Sequence, residues 1–273
     1  NCQYLDLEAN LLSSWEDINA LMKIMPQLNT LILSANPLPR TLPPNPFTLQ
    51  CSSLKILYLN HLPDIWPLIL KLATDTMQLD HLEELHLCNN HIKAIGGPVV
   101  EKETSVHLSS LKLLNLDNNQ LTQWSELQDS FISTLPSLQR LLLNNNQLVH
   151  ITSPKTHQFL HLQQLSISSN QLTSFYSIEA LNEFPSLINL KCNNNPLASL
   201  EGGDHILRHW IIAAIKKLNV LNISQVRARE RKDSERIYLK EVALLKQATV
   251  HTTSSKTTTT TTDRSSEGIY QRQ

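Results

Sequence analysis

Three side chains suited to metal or nucleophilic chemistry fall close together: His86, Cys88 and His91. Imidazole nitrogen and thiolate sulfur are both zinc ligands, but a structural zinc takes four donors in a tetrahedron. His86 and Cys88 stand two residues apart and share one face of an extended segment. His91 lies beyond the turn that follows, and no fourth ligand is near in sequence. Asp6 and Glu8 share a face by the same spacing; exposed carboxylates of this kind are ordinarily solvated rather than reactive. There is no phosphate-binding glycine loop, the whole chain having five glycines. No catalytic residue, metal or cofactor is therefore expected, and a metal-dependent enzyme using His86, Cys88 and His91 stands only as an alternative from another class.

Bulk composition removes further classes. A formal net charge of -1 at pH 7 lacks the basic excess of a nucleic-acid binder. Hydrophobic residues make up 41% of the chain without a run long enough to span a bilayer, which predicts a soluble protein with no membrane association. The four cysteines, Cys2, Cys51, Cys88 and Cys192, lie far apart and form no paired cluster. That usage favours a reducing, cytoplasmic setting.

The elements that must position these groups come from a repeat. Leu111-Lys-Leu-Leu114-Asn-Leu116-Asp-Asn-Asn119-Gln-Leu121 has the spacing L-x-x-L-x-L-x-x-N-x-L, and copies on the same frame start at residues 2, 28, 54, 82, 111, 138, 162 and 187, with a degraded last one at 218. Successive starts are 24 to 31 residues apart, the spacing and pattern of leucine-rich repeats. Asparagine recurs at the ninth position of seven of the eight full copies, as Asn10, Asn36, Asn90, Asn119, Asn146, Asn170 and Asn195. A short side chain with both donors and an acceptor can satisfy the backbone of the turn leaving each strand and of its neighbours. Cys2 and Cys192 take apolar frame positions, where a free thiol acts as a small hydrophobe.

The predicted fold is an α/β solenoid, a right-handed horseshoe with a parallel concave sheet and short convex helices. Trp15 to Met25 reads as one such helix, with Ser14 as cap and Pro26 as stop. Trp66 and Pro67 open another, filled by Leu68 to Ala73. Five residues after each asparagine position fall Trp15, Ile95, Trp124, Ile151, Phe175 and Leu200, expected as packing between strands and helices. Pro37 to Pro46 and Gly96-Gly97-Pro98 read as loops. Repeats are expected over 1–225, a charged capping helix over 226–248, and a disordered Thr/Ser-rich tail over 249–273.

Residues between the leucines of each strand point away from the core. They form three columns, of which Tyr4, Asp6, Ile32, Ile56, Tyr58, Glu84, His86, Leu113, Asn115, Arg140, Leu142 and Lys191 are the expected partner-binding set. Ile32, Ile56, Tyr58, Leu113 and Leu142 carry most weight, because outward apolar side chains serve no purpose in the repeat core. The third column is Glu8, Ser34, Asn60, Cys88, Asp117, Asn144, Ser168 and Asn193.

Several stretches go beyond generic repeats: Leu12-Ser-Ser-Trp15-Glu-Asp17, Ile65-Trp66, Gln120-Leu-Thr-Gln-Trp124, Asn193-Asn-Asn-Pro-Leu197, Ile211-Ile-Ala-Ala-Ile-Lys-Lys-Leu218-Asn-Val-Leu-Asn222, and Arg227-Ala-Arg-Glu230-Arg231-Lys-Asp-Ser-Glu235-Arg-Ile-Tyr238. Over roughly residues 1 to 247 the chain resembles the repeat domain of tubulin-specific chaperone E (tubulin-folding cofactor E) and its cofactor E-like relatives. The resemblance implies a cytoplasmic, non-enzymatic, cytoskeleton-associated chaperone. Such a protein binds α-tubulin and acts with other tubulin-folding cofactors in assembling or dissociating the heterodimer. It also implies a glycine-rich microtubule-binding domain before the repeats and a ubiquitin-like domain after them. Neither is visible here, and the chain begins at Asn1 inside a repeat, so it is expected to be a fragment. The expected function is a monomeric protein-interaction scaffold, with a phosphatase-regulating repeat subunit as the alternative.

Overall fold

Each of the eight full repeats contributes one three-residue strand with an inward leucine at its centre, since a short extended segment is enough to carry that leucine into the core. The computed structural model describes residues 2–41, 52–75, 79–95, 108–199 and 203–255. The strands are β1 (Tyr4–Asp6), β2 (Thr30–Ile32), β3 (Ile56–Tyr58), β4 (Glu84–His86), β5 (Leu113–Asn115), β6 (Arg140–Leu142), β7 (Gln164–Ser166), β8 (Asn189–Lys191), β9 (Val220–Leu221) and β10 (Ser224–Gln225). They form one sheet in sequence order. β1 to β9 are parallel, and β10 alone turns back antiparallel to β9. Its turn places Asn222 and Ile223 at φ of 50° and 66°, the left-handed pair that a two-residue hairpin requires.

Convex helices are short: α1 (Trp15–Ile24), α2 (Trp66–Asp75), α3 (Trp124–Asp129) and α4 (Tyr176–Ala180). Ser14 caps α1 by accepting from the Asp17 N–H. Two of the three tryptophans that open these helices tie coils together: Trp15 Nε1 donates to Pro39 O at 2.7 Å and Trp66 Nε1 to Ile95 O at 3.0 Å, whereas the buried Trp124 Nε1 makes no such bond. Trp15, Ile95, Trp124 and Ile151 are buried as core. Phe175 departs from the series and is only partly buried. Leu200, Cys51 and residues 42–50 and 96–107, which include Pro43 to Pro46 and Gly96-Gly97-Pro98, lie outside the described residues.

The asparagines form a continuous polar spine. Asn119 shows the pattern: its Nδ2 donates to Leu116 O in its own coil and to Leu87 O in the preceding one, while its Oδ1 accepts from the Asn90 and Ile92 N–H groups. Asn36, Asn90, Asn146, Asn170 and Asn195 make the same kind of bond to the preceding coil, and all six are buried. Asn10 differs from the expectation. It is exposed and its amide donates to Glu8 O in its own coil. Cys2 is exposed, against the expectation, whereas Cys192 is buried. Immediately before each asparagine position stands a left-handed residue: Ala9, Ala35, His61, Asn89, Asn118, Asn145, Ser169 and Asn194 all have φ of 54° to 57°. Asparagine takes four of these places because it tolerates that conformation better than other side chains with a Cβ.

The far end of the array is closed by α5 (Gly203–Ala214) and α6 (Ala228–Ser255). α6 runs seven residues past the expected boundary at 248, into sequence read as disordered. Once a helix is established each further residue adds a hydrogen bond, and threonine's modest propensity does not by itself stop it. Residues 256–273 of the expected tail lie outside the described residues. The Arg227-to-Tyr238 stretch turns its functional groups onto α5. Arg208 Nε meets Glu230 at 2.7 Å, His209 Nδ1 meets the fully buried Ser234 hydroxyl at 2.9 Å, and Arg231 donates to Ile212 O and Leu218 O near the C-terminal end of α5. An arginine there satisfies carbonyls left open by the helix end and opposes its dipole.

Candidate functional site

Strand register converts the sequence columns into rows of neighbours on the concave face. Thr30, Ile56, Glu84, Leu113, Arg140, Gln164 and Asn189 stand side by side, as do Ile32, Tyr58, His86, Asn115, Leu142, Ser166 and Lys191. Tyr4, Asp6 and Arg140 are exposed; Ile32, Ile56, Tyr58, Glu84, His86, Asn115, Leu142 and Lys191 are partly buried. Leu113 is not available as expected, being only 4% exposed. Its neighbours on the two flanking strands are Glu84 and Arg140, and their side chains meet at 2.7 Å. That ion pair spans β5 from β4 to β6 and roofs Leu113. Ser166 is also buried.

Glu84 is the hub of this region. One carboxylate oxygen takes Arg140, and the other lies 3.4 Å from His86 Nε2. On the far side of the ring, Asn115 Nδ2 is 3.5 Å from His86 Nδ1. An amide N–H can only donate, so Nδ1 accepts and the proton sits on Nε2, facing Glu84. The imidazole also stacks on Tyr58, with centroids 4.0 Å apart and planes 11° from parallel. Burial holds the His86 pKa below its usual value, against the pull of Glu84. The neutral ring is thus the form this site is built around.

Burial, reinforced by the Asp117 carboxylate, pushes the Cys88 thiol up to about 11, so at neutral pH it stands as the thiol and not as the reactive thiolate. His91 is exposed at φ 55° beyond the turn. Among the described residues no three His, Cys, Asp or Glu side chains gather around one point.

The third column does something the spacing did not announce. Ser34 Oγ accepts from the Asn60 N–H, Asn60 Oδ1 from Cys88, Asp117 Oδ1 from Asn144 and Asn144 Oδ1 from Ser168. This second polar ladder holds the strand exits in register along the concave rim. The recurrence of short polar types at 34, 60, 117 and 144 is its only trace in the sequence. Burial raises the Asp117 pKa, with the Asn144 hydrogen bonds opposing it.

The chain is similar to known proteins over most of its length. Family models match residues 80–129 as "Leucine Rich repeats (2 copies)" and residues 129–248 as "Leucine-rich repeat". The chain is 36% identical over 252 residues to tubulin-folding cofactor E of Arabidopsis thaliana and 31% identical over 245 residues to tubulin-specific chaperone E of Xenopus laevis. These matches cover 89% and 88% of the chain and 45% of each relative. It is 31% identical over 239 residues to the human tubulin-specific chaperone cofactor E-like protein, covering 86% of the chain and 54% of that protein. The chain therefore spans about half the length of the curated relatives it matches. Among solved structures, an internalin C2 from Listeria monocytogenes superposes with a TM-score of 0.52 at 22% identity, covering 80% of this chain and 79% of that one, a likeness of fold alone. These relatives lend no support to the phosphatase-regulator alternative.

Proposed function

Because this chain is a leucine-rich repeat protein similar over most of its length to tubulin-folding cofactor E and the tubulin-specific chaperones E, we propose that its concave face docks α-tubulin. One observation carries the reading to this face. Ile32 and Tyr58 pair in one row of the sheet surface turned away from the core, Leu142 lies further along that row beyond His86 and Asn115, and Ile56 stands in the neighbouring row, all only partly buried. Apolar groups left in such an array are the ordinary material of a protein interface. The Glu84–Arg140 pair and Lys191 beside them supply charges that fix orientation more than they add affinity.

The role is binding without catalysis, carried out in the cytoplasm by a monomer alongside other tubulin-folding cofactors. A scaffold of this kind shifts the tubulin heterodimer by holding one subunit in a state that pairs more or less readily with the other. It can move that equilibrium only by its difference in affinity for the two states. Retention of α-tubulin by the purified chain, with Tyr58→Ala and Leu142→Ala as comparators, tests the assignment. Each variant is expected to weaken retention about tenfold, the scale of a central apolar contact, while circular dichroism stays unchanged. Full retention by both folded variants would remove the concave centre as the docking site.

A further inference from the structure

The incompletely buried Phe175 belongs to a second site, away from the concave sheet. Three rings from three elements meet beside the end of the array: Phe175 at the start of α4, Trp210 on α5 and Tyr238 on α6. Phe175 and Tyr238 lie 6.4 Å apart at 33°, and Trp210 closes the corner almost at right angles, 5.6 Å from Phe175 at 77° and 6.4 Å from Tyr238 at 82°. An open cavity of about 240 Å³ lies against this corner, with Tyr176 and two carboxylates, Glu179 and Glu241, in its lining. Among the described residues no lysine, arginine or histidine lines it. Among the described residues neither carboxylate has a cationic partner within salt-bridge distance.

We propose that this aromatic corner is a receptor for an arginine side chain presented by a partner polypeptide. The charge complementarity is one-sided, ring faces and carboxylates with no cation against them among the described residues, and aromatic faces attract cations through their quadrupoles. The Tyr238 hydroxyl donates to Glu179 Oε1 at 3.3 Å, so a carboxylate is already held at the edge of one ring. Burial pushes the Tyr238 phenol pKa up, with Glu179 adding to the effect, which keeps it a donor at neutral pH. Tyr176 is 81% exposed and Glu179 is exposed, so the cation meets both at the rim. A planar guanidinium can lie flat on one ring while its fork of N–H donors reaches the carboxylates, which a compact ammonium cannot do. This site is independent of the concave-face reading: either can fail while the other stands.

Fluorescence anisotropy of a labelled, blocked peptide with one central arginine, titrated with the full chain, tests it. The peptide is expected to bind saturably. Tyr176→Ala should weaken it about threefold to tenfold, and the Glu179→Gln, Glu241→Gln double variant about tenfold or more. Tyr176 is so exposed that its removal leaves the fold intact, which guards against a loss of binding by misfolding. Replacing the arginine with lysine should cost at least about threefold, and with uncharged citrulline should abolish binding. Absence of saturable binding, equal binding of the lysine or citrulline peptide, or indifference to both sets of variants would each overturn the assignment.

Discussion

A buried amide that serves two coils at once is worth more than its size suggests. Asn119 satisfies two N–H groups and two carbonyls, nearly all of them buried. Removing its side chain takes that partner from Leu87 O and from the Asn90 and Ile92 N–H groups, each at roughly 1–3 kcal/mol, while Leu116 O keeps the Asn146 Nδ2 donor. Asn119→Ala is expected to lower the free energy of unfolding by about 3 kcal/mol in urea denaturation, allowing for relaxation. Asn10→Ala should change it by less than about 0.5 kcal/mol, since Asn10 is exposed. Equal losses from the two would contradict the spine as described. His86 gives a pH signature. Its folded pKa lies below the unfolded value of 6.5 because of burial, so between those values the unfolded chain binds the additional proton. Its contribution to stability is then complete above about pH 6.5 and is lost as the pH falls toward the folded value. Asp117, whose pKa is raised, acts with the opposite sign at lower pH, and Glu84, Arg140, Tyr58 and Asn115 also face the ring. Unfolding midpoints for the wild type and His86→Gln between pH 7.5 and 5.5 isolate the histidine: the wild type should lose more stability on acidification than the variant. The leucines and the ninth-position asparagines were legible because each obeys a fixed spacing. Leu113 was not, because its burial comes from a bridge between residues 56 positions apart.

At the scale of elements, the charged segment after the last repeat explains itself through spacing. Glu230, Ser234 and Tyr238 recur every four residues and face α5 and α4, while Arg231 reaches the carbonyls near the end of α5. The motif that most sets this chain apart from generic repeats is therefore the docking face of its cap. Arg231→Ala is expected to cost about 2 kcal/mol, the scale of charged hydrogen bonds to otherwise open carbonyls. It should also raise amide exchange selectively in α5 and the first half of α6. Arg231→Lys keeps the charge but loses the fork and should recover only part of the protection. Uniform exchange changes across the whole sheet would show that Arg231 supports something other than this junction. The sequence displayed the charged face of α6 but not the gap it leaves over Phe175. Three rings from three segments have to be placed relative to one another before that corner exists, and no local pattern records their separation.

Over the whole molecule, stability in a solenoid is a sum of coils and the interfaces between neighbours, so the weakest interface decides where opening starts. Two observations locate it. The third coil carries Leu62 where the other full repeats carry asparagine; Leu62 is buried and its N–H is satisfied forward by Asn90 Oδ1, but it sends no amide back to the second coil. Between β2 and β3 the backbone ladder continues without the buried spine that joins later coils. At the same end, Leu5, Leu7 and Leu12 of the first coil are only partly buried. At the opposite end, Arg208, Arg231 and Ser234 bind the cap to the last coils. The first two coils are therefore expected to open as a unit ahead of the rest. The amides of β1 and β2 should exchange by a local route about 2 kcal/mol below the global free energy, the worth of a missing buried amide and its partners. Strands β5 to β8, each backed by its own asparagine, should exchange only through global unfolding. Native-state hydrogen exchange at rising urea separates the two routes. A single shared exchange free energy for β1 to β8, or opening that begins among β5 to β8, would mean that cohesion between coils does not depend on the asparagine spine.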